Sequence, residues 1–168
     1  YLRWDESKRC DFLRHELANP RPLIPYEFEP SDDVAEVLKT CKVIADADPA
    51  SLGSYVISMA RQPSDILAVM LLQKACGVSQ PLPIAPLFET LDDLERAPNV
   101  LSSLLSDASY IAAIGGIQNV MIGYSDSSKD AGTLAAAWAQ YCAQDELSKV
   151  ANQFGVKLIL FHGRGGTA

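Results

Sequence analysis

The chain has 168 residues, 48% of them apolar and 8% aromatic, with a formal net charge of −7. This composition supports a packed core rather than a disordered chain. The absence of a basic stripe argues against nucleic acid or an anionic membrane face as partner, and no apolar run reaches the 18 residues a membrane span needs.

The amino end, "YLRWDESKRCDF", is charged from its third residue, unlike a signal peptide. The spacing of Trp4, Phe12, Leu13 and Leu17 predicts a first helix, and Val34, Val37, Leu38, Cys41 and Ile44 predict a second with Ser31 as its N-cap. Between them "ANPRPLIPYEFEP" holds four prolines and reads as an extended connector. Residues 1–50 are thus expected to form a helical segment, and residues 51–168 to hold a different pattern.

Four short apolar runs follow: "YVISMA" from 55, "PIAPLF" from 83, "VMIGYS" from 120 and "LILFH" from 158. Helical stretches are expected between them at Asp65–Cys76, about Leu91–Leu105 and about Lys129–Phe154, the first and last stopped by Gly77 and Gly155. This βαβαβαβ order, with near-continuous apolar strands, predicts an α/β fold with a parallel sheet, either part of a (β/α)8 barrel or a doubly wound sheet.

In parallel α/β folds chemistry gathers at the carboxyl ends of the strands. There the second strand runs into Glu89, the third into Asp126, and the fourth through His162 into Gly163, Arg164, Gly165 and Gly166. Two carboxylates at neighbouring strand ends suit a Mg²⁺ or Mn²⁺ ion, which takes oxygen ligands and phosphate oxygens. Either acid alone is equally well explained as a helix cap. The glycines allow backbone N–H groups to approach an anion, and the arginine offers a fork of donors. Lys129 is out of place by local rules, since a cation is disfavoured at the start of a helix.

Other residues read as structural. Cys10, Cys41, Cys76 and Cys142 form no C-x-x-C pair and are expected as free core thiols. His15 reads as solvated, Arg61 as a turn residue without an assigned role, and Trp138, spaced from Leu134 and Tyr141, as core. The chain lacks an initiator Met and stops at "HGRGGTA", inside a glycine-rich loop, so a longer polypeptide is expected.

Together these stretches resemble the phosphoenolpyruvate carboxylase family. "VMIGYSDSSKDAG" is similar to its lysine-bearing signature, and "YVISMA" with "PSD", "PLFETLDDL", "WAQYCAQ" and "LFHGRGGT" match in the same order over essentially the whole chain. The resemblance implies about four strands of a (β/α)8 TIM barrel within one larger catalytic domain. It implies an allosteric, cytoplasmic, homotetrameric lyase that joins bicarbonate to phosphoenolpyruvate, giving oxaloacetate and phosphate with Mg²⁺ or Mn²⁺. By the same resemblance Glu89 and Asp126 are metal ligands. Lys129, His162 and Arg164 are catalytic, and Leu87 and Met121 pack near the substrate's methylene carbon.

The family's further arginine, its separate catalytic histidine and a second glycine-arginine loop lie outside these residues, and Ala168 stands where the family usually has valine or isoleucine. The piece alone is therefore expected to be inactive. Two other readings stay open: a different Mg²⁺-dependent barrel enzyme of phosphorylated keto acids, and a noncatalytic barrel piece.

Overall fold

The computed structural model describes residues 1–25, 27–123 and 133–163. They form α1 (Glu6–Ala18), α2 (Asp32–Asp46), a short 3₁₀ turn (Pro49–Ser51), β1 (Tyr55–Ile57), α3 (Pro63–Ala75), β2 (Ile84–Phe88), α4 (Leu91–Leu105), α5 (Ala108–Ala113), β3 (Ile117–Ile122), α6 (Thr133–Gln153) and β4 (Lys157–His162). The chain divides into two compact units, Tyr1–Gly53 with Ser64–Leu82, and Ser54–Pro63 with the chain from Pro83 onward.

In the first unit, α1 is capped by Asp5, whose carboxylate accepts from the Lys8 N–H. The Glu6 carboxylate reaches the start of α3, accepting from the Ser64 N–H and hydroxyl, both at 2.8 Å. At the other end of α1 the Lys74 ammonium donates to the carbonyls of Glu16, Leu17 and Asn19, which have no acceptor role left inside the helix. Ser31 stands at the N-cap of α2 as expected, though its hydroxyl makes no capping bond. Cys10 and Cys41 are buried, Cys76 and Cys142 half-buried, and all four are free thiols. Burial, reinforced by the neighbouring Glu6 carboxylate, pushes the Cys10 thiol up to about 12. His15 is exposed, as expected.

The second unit is an α/β layer built on a four-stranded, all-parallel sheet in the order β1-β2-β3-β4. Each crossover advances the sheet in the same direction, with no reversal of the kind that defines a doubly wound sheet, so the architecture is a partial barrel. Helices α4 and α6 pack against each other, α4 against β2 and α6 against β4. Buried Leu94, Ala97, Leu101, Leu104 and Leu105 face inward from α4, and Ala136, Ala143, Leu147 and Ala151 from α6.

Several features depart from the sequence reading, among them α5, a short helix it did not predict. β3 begins at Ile117 rather than Val120, because the polar pair Gln118 and Asn119 belongs to the strand. Gln118 is buried. Its oxygen accepts from the Tyr110 hydroxyl at 2.7 Å, and its amide donates to the carbonyls of Ile84 and Asn119 at 3.1 and 2.8 Å. β1 stops at Ile57 rather than Ala60, because Met59 adopts a left-handed φ of 55° that breaks the extended run. Trp138 is not core. It is 66% exposed, stacked on exposed Tyr141 at 5.6 Å, with Leu134 also exposed. The inward stripe of α6 runs through Ala136, Ala143, Leu147 and Ala151, and Trp138 lies about 200° around the helix from Ala136, on the opposite face.

Candidate functional site at the carboxyl edge of the sheet

Strand register brings several of the candidate residues to one level. Leu87 pairs with Met121, and Met121 with Phe161; one step further, Phe88 pairs with Ile122, and Ile122 with His162. Side chains alternate along a strand, so Leu87, Met121 and Phe161 share one face, and Glu89 continues that face beyond Leu87. The ladder extends one residue past β3 through a 2.8 Å bond from the Gly123 N–H to the Phe88 carbonyl, which sets Gly123 beside Glu89.

The contact is close: a Cβ on Gly123 would lie 2.8 Å from the Glu89 Cα and 3.1 Å from both its Cβ and Cγ. On the neighbouring strand a Cβ on Gly163 would lie 2.8 Å from the Met121 Cε. Beside the ends of β3 and β4, toward α6, a cleft of about 260 Å³ is lined by Ile122, Gly123, Gln140, Gln144, Leu160, Phe161 and His162. Its polar walls are two glutamines from α6 and the exposed histidine at the end of β4.

Glu89 is half-buried and is not the cap of α4. That work is done by the next residue: the Thr90 hydroxyl accepts from the Asp93 N–H at 3.1 Å, and the Asp93 carboxylate accepts from the Thr90 N–H at 3.3 Å, a reciprocal capping box. Arg96 donates to the same carboxylate at 3.0 Å, and the Arg61 Nε stands 4.0 Å away. Burial alone raises the Asp93 carboxyl, but the contacts with Thr90 and Arg96 outweigh it and hold the group below the usual carboxylate range.

A folded-state pKa below the unfolded one stabilises the fold above the unfolded value, about 3.9, and that stabilisation is lost as pH falls through the folded value. The α4 cap is therefore expected to persist at mildly acidic pH and fail only in stronger acid. Titration of the Asp93 carboxyl by NMR checks this, and a midpoint above the unfolded value would contradict it.

Of the residues expected at the site, Leu87, Glu89, Met121 and Gly163 share one face at this edge, while His162, level with Phe88 and Ile122, falls on the opposite face, beside Gln140 and Gln144 of α6. Asp126, Lys129, Arg164, Gly165 and Gly166 lie outside the described residues, as does the start expected for the helix at Lys129. Among the described residues no group of three His, Cys, Asp or Glu side chains is assembled. Glu89, a half-buried carboxylate that does not cap α4, is of the oxygen-donor type that fits a hard divalent cation such as Mg²⁺ or Mn²⁺.

The sequence reading passed over three residues here. Met59 carries left-handed backbone, at a cost of about 1–2 kcal/mol, just past β1. Gly123 gives Glu89 its room. Gln140 donates to the Gly123 carbonyl at 2.9 Å. Only Gly123 had a legible signal, a glycine closing a buried strand.

The sequence comparisons agree on a single family. The family model described as phosphoenolpyruvate carboxylase matches residues 1–168. The phosphoenolpyruvate carboxylase of Stutzerimonas stutzeri (strain A1501) is 61% identical over 167 residues, that of Pseudomonas aeruginosa is 59% identical over 167, and that of Shewanella loihica is 57% identical over 164. These alignments cover 98% or 99% of this chain and 19% of each relative, so the chain spans about a fifth of their length. On the match of the family model along all of its residues, the chain belongs to the phosphoenolpyruvate carboxylase family.

Proposed function

We propose that this chain is the part of a phosphoenolpyruvate carboxylase that supplies one side of the active site, in a parent enzyme that carboxylates phosphoenolpyruvate with bicarbonate. The observation that carries the reading is the family match over residues 1–168, which takes in "VMIGYSDSSKDAG" and "LFHGRGG". It is supported by the edge geometry, where the Glu89 carboxylate and the apolar pair Leu87 and Met121 share one face at adjacent strand ends.

In this reading a bicarbonate oxygen attacks the phosphorus of phosphoenolpyruvate. The bond from phosphorus to the enol oxygen breaks, leaving the enolate and carboxyphosphate. Carboxyphosphate then releases phosphate and CO₂, and the enolate carbon attacks CO₂ to form oxaloacetate. Glu89 and Asp126 would hold a Mg²⁺ or Mn²⁺ ion, which supplies positive charge to the phosphate and enolate oxygens when bound. Lys129 and Arg164 add positive charge where the transferring group and the enolate are both anionic, and His162 assists the phosphoryl transfer. Leu87 and Met121 bound the methylene carbon and keep water from the enolate, and Gly163, Gly165 and Gly166 are assigned to binding the anionic substrate. The parent is read as a cytoplasmic, allosteric homotetramer.

A coupled assay for bicarbonate-dependent oxaloacetate formation tests this on the full-length polypeptide. Lys129→Ala is expected to reduce kcat by roughly 100-fold or more, the scale of losing one preorganised charge. The 168-residue chain alone is expected to be inactive. Full-length protein without oxaloacetate formation would sink the function, and a Lys129→Ala variant of unchanged rate would sink that residue's role.

A further inference from the structure

The end of β3 is held from two sides. The Gly123 N–H donates to the Phe88 carbonyl of β2 at 2.8 Å, and the Gly123 carbonyl accepts from the Gln140 side chain at 2.9 Å. Gln140 lies on the inward stripe of α6, four residues after Ala136 and three before Ala143, both buried. Its amide thus ties the last peptide of β3 to the helix that covers the strand.

Between these two bonds, the α-carbon of Gly123 faces the stem of Glu89. The reason for glycine is steric: Gly115, Gly116 and Gly155 have left-handed φ values of 60°, 70° and 67°, whereas Gly123 is not among the positive-φ residues. What it lacks is space, because an added methyl would meet the Glu89 backbone at 2.8 Å and its Cβ and Cγ at 3.1 Å. Rotation of Glu89 relieves the contact with Cγ but not the contact with Cα. That Cα is pinned by buried Phe88 before it and by the Thr90 cap of α4 after it.

We propose that Gly123 and Gln140 are positioning residues for the Glu89 carboxylate, Gly123 by leaving room for its stem and Gln140 by fixing the peptide against which that stem lies. The proposal rests on the reading of Glu89 as a metal ligand. Groups that orient a ligating side chain without touching the ion typically change metal affinity by about 10–100-fold when altered. Because the clash at Gly123 is with backbone, its loss belongs at the upper part of that range. Gln140→Leu keeps roughly the size of the side chain and removes its amide, the bond to the Gly123 carbonyl included, while leaving the backbone in place, which belongs at the lower part.

Mn²⁺ alone is the probe. It is titrated into full-length, metal-free protein, with free ion measured by electron paramagnetic resonance and folding checked by circular dichroism. Gly123→Ala is expected to weaken Mn²⁺ binding by about 10-fold or more, and Gln140→Leu by roughly 10-fold or less, with native circular dichroism. Glu89→Gln is measured in parallel. If Glu89→Gln binds Mn²⁺ as the parent does, the ligand reading falls and the proposal with it. If Glu89→Gln loses Mn²⁺ while both positioning variants bind normally, the proposal alone is overturned. If Gly123→Ala does not fold, Gln140→Leu decides, and normal Mn²⁺ affinity there overturns the proposal.

Discussion

Glu89→Gln in the full-length polypeptide is expected to lower kcat by roughly 100-fold while leaving the unfolding transition near that of the parent. The exchange keeps shape and removes one anionic oxygen. A ligated divalent ion is asked for several kcal/mol of charge stabilisation in the transition state, and each ~1.4 kcal/mol is tenfold in rate. The cap of α4 is left intact, because it belongs to Thr90 and Asp93.

Asp93→Asn should show the opposite pattern. Its carboxylate is buried, accepts from Thr90 and Arg96, and takes no part in the proposed chemistry. Loss of that charge is expected to cost about 1 kcal/mol of stability, with kcat changed by less than about twofold. Two acids four residues apart are thus expected to separate the proposed ligand from the cap. Equal losses of turnover in both variants would contradict that separation, and a Glu89→Gln variant with full activity would remove Glu89 from the site.

The largest effect on stability is expected at Gln118. Its side chain is 1% exposed and satisfies the Tyr110 hydroxyl, the Ile84 carbonyl of the neighbouring strand and the Asn119 carbonyl. Gln118→Ala removes these partners and opens a void between β3 and its surroundings, at a cost of about 3–5 kcal/mol. Tyr110→Phe deletes only the hydroxyl and leaves the Gln118 oxygen unpaired, costing about 1–3 kcal/mol.

Because the two residues share one bond, the double variant should cost less than the two singles together. Urea unfolding of the full-length variants measures all three. A Gln118→Ala protein unfolding at the parental urea concentration would show that the network contributes nothing. Strict additivity would show that the Tyr110–Gln118 bond carries no coupling.

The same residue shows where sequence reading stops. A glutamine beside an asparagine reads as the polar edge of a strand, so β3 was expected to begin only at Val120. In the structure Gln118 is as buried as Val120, and nothing local announces it, because its partners come from α5, 34 residues back in β2, and its own strand. Trp138 fails in the converse way. Its spacing from Leu134 and Tyr141 is that of a buried stripe, yet the inward face of α6 is the alanine-rich one, and period alone does not tell which of two apolar stripes meets the sheet.

What the sequence by itself determined is the order and type of the main elements, the approximate span of α4, the parallel α/β class, and the candidate residues Glu89 and His162 at strand ends. Those features follow from periodicity, from glycine stops and from the chain direction that parallel strands share. Only the tertiary structure decided that the four strands follow one another without reversal, that Leu87 and Met121 are partners, that Thr90 and Asp93 relieve Glu89 of capping, and that Gly123 and Gln140 bear on its stem. Each of these depends on which residues meet across separate segments. Strand register and the steric room at one α-carbon have no signature in the spacing of residues along the chain.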